Sequence, residues 1–233
     1  SQVHINTDSS IDNKFKAQFK EEIQLHSVLI RNKSTDKFMT LYKDKLFRYR
    51  NFNPIIKNQT QTEYNTIVLD FKSSESTKFT EFLKSIDKSI PILSAGPYIV
   101  NLRYDNFSMS EILRRLLPEE LFSEFPKSYE MIGTIAHVTL REKFLTYKKL
   151  IGNLIIDKNP SIKTVINKTS KIDNVYRTYQ LELLAGTENY EVSLREGKCR
   201  FEFDIRKVYW CSKLSSERDR MLKFIKPGQT LCD

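Results

Sequence analysis

Hydrophobic residues alternate with charged ones just before the only tryptophan of the chain. Phe201, Phe203 and Ile205 share one face of a predicted strand, and charged side chains occupy the other face. Trp210 follows, and after it comes a charged segment with apolar residues at helical spacing, for which Ser215 is the predicted N-cap. The pattern therefore predicts a half-buried strand, an aromatic corner and the start of a helix, in that order.

The first part of the chain alternates between strand-like and helical periods, which predicts a small α/β unit. A polar tail at residues 1–14 is expected to be disordered, and the predicted unit covers residues 15–103. Its predicted elements are strands at 23–31 and 67–71, an extended segment at 90–102, and helices after Ser34 and at 74–86.

The second part of the chain repeats this alternation after a linking segment at 104–126. That segment contains a predicted helix, which Ser108 caps and Pro118 ends. The second unit is predicted at residues 127–212. Its predicted elements are a strand at 131–140, a helix with apolar positions from 144 to 155, a strand at 179–185 and a hairpin at 191–205 that turns at 196–198. The patterns together predict a mixed α/β fold with two small α/β domains.

The positive charge of the chain is concentrated in its second half. The formal net charge is +9, of which residues 1–126 contribute +2 and residues 127–233 contribute +7. This excess favours a polyanionic partner on the second half. The region also has a run of lysines with one acid among them, for which phosphate contact and a solvated lysine-rich face are equally good interpretations. The lysines are Lys148, Lys149, Lys158, Lys163, Lys168 and Lys171.

Other residue types exclude several kinds of site. Three cysteines without CxxC spacing and three scattered histidines support neither a disulfide framework nor a metal site, so no metal is expected. His137 is predicted to be a hydrogen-bonded structural histidine. No apolar run approaches the roughly 20 residues that span a bilayer, so no membrane partner is expected. The six glycines form no phosphate-cradling loop, and any nucleotide-type cofactor would be bound mostly elsewhere.

Arg177, Tyr209 and Glu217 each have a plain structural interpretation. An arginine between tyrosines can stack on them, and a tyrosine next to a tryptophan can belong to a core. A glutamate in the first turn of a helix offsets the helix dipole. Their positions alone do not assign them a chemical role.

Several motifs in the second half closely resemble the eukaryotic and archaeal tRNA (guanine-N1)-methyltransferases, which modify the guanosine just 3′ of the anticodon. The motifs are IGTIAHVTLR at 132–141, LIGNLIIDKNP at 150–160, VINK at 165–168, IDN at 172–174, LLAG at 183–186 and FDIRKVYW at 203–210. The resemblance covers residues 105–233. The residues before 105 resemble the family only loosely, in the order of their elements.

The resemblance implies transfer of a methyl group from S-adenosylmethionine to N1 of that guanosine in tRNA. It places Arg177, Tyr209 and Glu217 on the active-site positions of the family, and Arg218 on a residue that contacts S-adenosylmethionine. A carboxylate can accept the proton of N1, and an arginine can stabilise the negative charge that develops on O6. The chain departs from many relatives at residues 211–213, which read Cys-Ser-Lys, and in having an arginine instead of a histidine after Glu217.

The resemblance also implies that residues 213–233 begin a Rossmann-type methyltransferase domain, with its first strand at the end of the chain. The chain would then be an N-terminal part of the enzyme that binds tRNA as a monomer. It would be inactive alone, because most of the S-adenosylmethionine site would lie beyond it. A noncatalytic tRNA-binding protein is the alternative, and a basic protein-interaction domain is a third hypothesis. The expected location is the cytoplasm, with the nucleus and the mitochondrial matrix also open.

Overall fold

The computed structural model describes residues 11–58, 62–126, 128–169 and 180–230. They form two compact units, of which the first is Asn13–Ile112 and the second comprises the described residues from Leu113 onward. The division falls within a helix inside the predicted linking segment. The described residues after 212, predicted as a separate domain, belong to the second unit.

The first unit is a four-stranded antiparallel sheet with strand order β2-β3-β1-β4. Two helices cover one face of it, because Phe38 of one helix and Phe79 and Phe82 of the other pack on the alternate positions Val28 and Ile30 of the central strand. Its elements are α1 (Asn13–Lys16), β1 (Lys20–Arg31), α2 (Thr35–Leu41), β2 (Ile55–Lys57), β3 (Tyr64–Lys72), α3 (Ser76–Ser85), β4 (Ile92–Arg103) and the start of α4 (Met109–Leu116).

The predicted strands and helices of the first unit are confirmed, with one correction at its start. Asn13 and Lys14, assigned to the disordered tail, are helical because Phe15 is buried against the rings of Phe19 and Tyr104. The predicted cap of α4 is also confirmed. Ser108 Oγ accepts the amide of Glu111, whose carboxylate accepts the amide of Ser108 in return.

The second unit combines a four-stranded mixed sheet, ordered β5-β6-β7-β8, with a separate hairpin, β9 and β10. Strands β6 and β7 are parallel and are joined through α6, and the other neighbours are antiparallel. The elements are α5 (Glu119–Ser123), β5 (Glu130–Ile132), β6 (Ile135–Val138), α6 (Lys148–Lys158), β7 (Thr164–Lys168), β8 (Leu181–Gly186), β9 (Glu191–Glu196), β10 (Cys199–Asp204) and α7 (Ser215–Leu222). The predicted mixed α/β class is confirmed.

The prediction of one strand over residues 131–140 is wrong. The chain turns at Gly133, whose φ is +60°, so that Ile132 pairs with Ile135 in an antiparallel hairpin. A Cβ at position 133 would lie 3.0 Å from the carbonyl oxygen of Ser193, so the turn also needs the small residue. The apolar run concealed the turn because residues on both sides of it are buried.

The hairpin predicted at 191–205 is confirmed, with its turn at 196–198 and Gly197 at φ +57°. Val192 and Phe203 on its inner face pack against Ile132 and Ile166 of the sheet. This contact explains the alternation of β10, whose other face is exposed at Arg200 and Glu202.

The N-cap predicted for the last helix is displaced by one residue. A turn of 3-10 helix, Ser212–Leu214, leads into α7, so that Leu214 occupies the cap position and Ser215 begins the helix. Of the strand expected at residues 230–233, all but the first residue lie outside the described residues. Of the helices in the described part of the chain, none has the length and apolarity to cross a membrane.

We predict that Gly186→Ala destabilises the second unit by about 3 kcal/mol. Gly186 has φ +86°, and a Cβ there would collide with the Lys163 carbonyl oxygen and lie 2.7 Å from Ile156 Cδ1. Left-handed strain and overpacking each cost about 1–3 kcal/mol. Gly96→Ala is the control, because no atom lies within 4 Å of the added methyl group. Scanning calorimetry should show a loss for the first variant only, and equal shifts would contradict the prediction.

Candidate functional site

The aromatic corner is built around Trp210, whose ring stacks on Phe203 at 4.9 Å between centroids. Phe201 meets the same indole edge-on at 5.0 Å. The guanidinium of Arg218 also lies over the Trp210 ring, 4.3 Å from the ring centroid. The alternation of β10 thus places two phenylalanines so that they fix the tryptophan, and the tryptophan provides a platform for α7.

The turn between β10 and this corner is held by Asp204, which is buried at the end of the strand. Its carboxylate accepts the Arg206 amide and two guanidinium nitrogens at 2.6–3.1 Å. The bonded guanidinium lowers the pKa of Asp204. Arg206 also stacks over Tyr190, 4.4 Å from the ring centroid. The Asp-Ile-Arg sequence therefore sets the direction in which the chain leaves the hairpin.

Arg218, the predicted cofactor contact, is bound within the protein. Its Nε and Nη2 donate to the two carboxylate oxygens of Glu196 at 2.6 and 2.7 Å. Its Nη1 and Nη2 also donate to the Cys211 carbonyl at 3.2 and 3.3 Å. This fork lowers the pKa of Glu196 and raises that of Arg218. The motifs did not predict the pair, because its members are 22 residues apart and Glu196 belongs to a turn.

The structure describes two of the three predicted catalytic residues. Glu217 lies on the exposed side of α7, where both of its oxygens accept from Arg220 at 2.6 and 2.8 Å. The hydrogen-bonded guanidinium lowers the pKa of Glu217. Tyr209 is partly exposed, at 39%. Arg177 lies outside the described residues, so its place in the active site stays a prediction.

The predicted RNA-binding lysines do not share one face. Lys148 and Lys149 begin α6 and contact Glu182 and Leu183 of β8, beside the end of β7 where Lys168 lies. Lys163 lies at the opposite end of β7 and donates to the Pro160 carbonyl. Two further predicted lysines take no part in an exposed patch that the structure describes. They are Lys158, which is buried, and Lys171, which lies outside the described residues.

A groove of about 650 Å³ opens beside Lys168. The amide of Ser212 donates to Glu130 Oε1 at 3.2 Å and so fixes the segment before α7 to β5. Two lysines, four hydroxyl-bearing side chains, an imidazole and one carboxylate line the groove. Its lining residues are Pro126, Ser128, Tyr129, Glu130, His137, Thr139, Lys168, Ser212 and Lys213. The lining therefore combines positive charge with hydrogen-bonding groups, as a phosphate-bearing ligand requires.

His137 is the most perturbed group of this groove. Burial and the positive charge of Lys168 lower its pKa to about 4, although Glu130 Oε2 lies 3.8 Å from its Nδ1. Its Nε2 is buried without a hydrogen-bond partner among the described residues. Burial also lowers the pKa of Lys168. The imidazole is therefore neutral at pH 7.

Comparison with known proteins agrees with the motifs. A family model described as the TYW2 N-terminal domain matches residues 109–189. A tRNA (guanine(37)-N(1))-methyltransferase of Drosophila pseudoobscura is 35% identical over 94% of this chain, and the human one is 33% identical over 94%. The Schizosaccharomyces pombe enzyme is 45% identical over 59% of the chain. Over most of its length the chain is similar to tRNA (guanine(37)-N(1))-methyltransferases.

The chain spans 48% of the Drosophila methyltransferase, 43% of the human one and 31% of the fission yeast one. Two solved structures have a similar fold. Wild-type Trm5b from Pyrococcus abyssi gives a TM-score of 0.57 at 24% identity, over 88% of this chain and 55% of that one. The aTrm5 of a complex with tRNALeu gives 0.58 at 20% identity, over 87% and 58%. At these identities the two structures establish the fold alone.

Among the described residues, the glycines at 96, 133, 152, 186, 197 and 228 form no glycine-rich loop of the dinucleotide-binding kind. Arg218, assigned by the methyltransferase resemblance to cofactor contact, already binds Glu196 and Cys211. Four of its five N–H donors are used in this way, which leaves one on Nη1.

We predict that the second unit loses about 2 kcal/mol of unfolding free energy between pH 7 and pH 5 because of His137. Its folded pKa of about 4 lies below the unfolded value, which is about 6.5. The unfolded state therefore binds the proton first, and the stability present above pH 6.5 is lost as the pH falls towards 4.

Urea unfolding followed by the fluorescence of Trp210 would measure this loss, because the only tryptophan belongs to the second unit. Most carboxylates titrate below pH 5, at about pH 4, so the chosen interval isolates the histidine. His137→Gln should remove the pH dependence. An unchanged slope in that variant would assign the effect to another group.

Proposed function

We propose that the protein is a tRNA methyltransferase that transfers a methyl group from S-adenosylmethionine to N1 of guanosine 37, and that this chain supplies the tRNA-facing part and proton-handling groups. The observation that carries the proposal is the 35% identity to a named methyltransferase over 94% of the chain. Because the chain spans less than half of that relative, we propose that it is inactive alone. We also propose that the longer enzyme acts as a monomer. Cytoplasm, nucleus and mitochondrial matrix are all compatible locations.

Glu217 is the proposed general base. Neutral guanine carries a proton on N1, and the nitrogen lone pair becomes a good nucleophile once that proton is removed. Glu217 suits this task because it is ionised and exposed on α7, next to a helix start. Arg177 is the proposed stabiliser of the charge that develops on O6, and Tyr209 would position the base.

The proposed tRNA-facing surface lies at the end of β7, where Lys168 is close to Lys148 and Lys149 at the start of α6. It continues into the groove with Lys213. This proposal replaces the single lysine face predicted from the sequence. It is supported by the charge of the second half, by the exposure of Lys149, and by the hydroxyl groups that line the groove.

We predict that Glu217→Gln in the full-length enzyme lowers the single-turnover rate of methyl transfer by about 10²–10⁴-fold, which general-base catalysis typically contributes. The amide keeps the shape and one acceptor but cannot take the proton. Affinity for tRNA should remain within about twofold, because the neighbouring lysines are unchanged.

Glu202→Gln is the matched control, since it makes the same change at an exposed carboxylate outside α7. It should retain the parent rate. If Glu217→Gln and Glu202→Gln were equally fast, Glu217 would only offset the dipole of α7. A full-length parent that binds tRNA without methylating it would instead support the noncatalytic alternative.

We predict that tRNA binding weakens about 10²-fold between 50 and 200 mM salt, as expected for about four phosphate contacts. Lys149→Gln should weaken binding and reduce the salt slope by about one. Lys163→Gln, at the opposite end of β7, should change neither the affinity for tRNA nor the salt slope. Filter binding or fluorescence anisotropy would measure both. Equal effects of the two substitutions would show that the contacts extend over both ends of the sheet.

A further inference from the structure

We propose that Glu196 is a positioning residue that fixes α7, and with it Glu217, by holding Arg218 against Trp210. We call these three residues, Glu196, Arg218 and Trp210, the α7 clamp. The inference deepens the proposed function, on which its catalytic part rests. Neither the motifs nor the family resemblance assigns a role to Glu196.

The α7 clamp joins two elements that the sheet does not connect. Glu196 ends β9 at the tip of the hairpin, and Arg218 lies within α7, so the two hydrogen bonds of 2.6 and 2.7 Å bridge hairpin and helix. The side chains are 17% and 29% exposed, so the pair is considerably drier than an ordinary surface ion pair. Such a bidentate fork fixes direction as well as distance.

A second contact supports the same alignment. At Gly197, the residue next to Glu196, a Cβ would lie 3.6 Å from Asp219 Oδ1. The hairpin tip therefore lies against α7 at two successive positions of each element. The hairpin is itself packed on the sheet through Val192 and Phe203, so contact with the hairpin fixes α7 relative to the core of the second unit.

The α7 clamp determines where Glu217 points. Consecutive residues of a helix are separated by about 100° around its axis, so fixing Arg218 on the hairpin side directs Glu217 to an exposed side. A short helix of eight residues with no buried side chain has little else to set its rotation. Loss of the ion pair would therefore let the carboxylate move relative to the guanine.

This arrangement also limits what Arg218 can do for a cofactor. While Glu196 and the Cys211 carbonyl hold it, Arg218 offers one remaining N–H on Nη1. A bidentate contact with the carboxylate of S-adenosylmethionine would require the α7 clamp to open. The two roles of Arg218 thus make different experimental predictions.

The test uses Glu196→Gln, which removes the charge and keeps the shape, and Arg218→Lys, which keeps the charge and loses the fork. Glu202→Gln is the matched control, because Glu202 pairs with Arg200 at 2.6 Å on the same hairpin but is exposed. In the 233-residue chain, hydrogen exchange of the α7 amides should be about tenfold faster in Glu196→Gln than in the parent or the control. Unchanged exchange would overturn the proposal.

In the full-length enzyme, Glu196→Gln should lower the single-turnover rate by about 10–100-fold at saturating tRNA and S-adenosylmethionine, since small misplacement of a catalytic group has effects of this size. The affinity for S-adenosylmethionine should not change, and the double variant should be no slower than the slower single variant. A loss of cofactor affinity in Arg218→Lys with an unaffected Glu196→Gln would overturn the positioning role and assign Arg218 to the cofactor. If the full-length parent transferred no methyl group, the proposed function would fail, and hydrogen exchange would still decide whether the α7 clamp exists.

Discussion

The stack of Phe203, Trp210 and Arg218 is the interaction on which the candidate site depends. It links three kinds of structure: a strand of the hairpin, the irregular corner after it, and the helix that carries Glu217. Trp210 lies at the centre because an indole ring can contact apolar rings and a cation at once. The helix α7 is polar and short, so it could not hold its place by burying a hydrophobic stripe, as the helices of the first unit do.

The elements that were predictable from sequence are those whose burial has a simple period. Helices α2 and α3 have one buried stripe each, so helical spacing locates them. The hairpin of β9 and β10 was equally predictable from the sequence, because Phe201 and Phe203 alternate with charged residues and Gly197 marks the turn. The turn at Gly133 was not predicted, since Ile132 and Ile135 on either side of it are both buried and the segment resembles one continuous strand.

The candidate site was only partly predictable for a different physical reason. The methyltransferase resemblance predicted roles for Glu217, Tyr209 and Arg218, but ion pairs between distant segments leave no local pattern, and Glu196 was therefore missed. The positions of the lysines were also only partly predictable. Composition placed the positive excess in the second half, whereas the parallel connection through α6 separated the lysines between two ends of β7, and the burial of Lys158 followed from its place on the covered side of that helix.

The pair between Glu217 and Arg220 sets a condition for the proposed chemistry. A carboxylate whose two oxygens accept from a guanidinium is a weaker base than a carboxylate in water, so the pair has to open before a proton is taken. It is exposed, and exposed ion pairs contribute little to stability, so opening is not costly. The edge of guanine offers N1–H and the exocyclic N–H side by side, in the same two-donor geometry as the arginine fork. A guanine that reaches Glu217 can therefore replace Arg220 donor for donor, and the base is released from its arginine at the moment when the proton to be removed arrives.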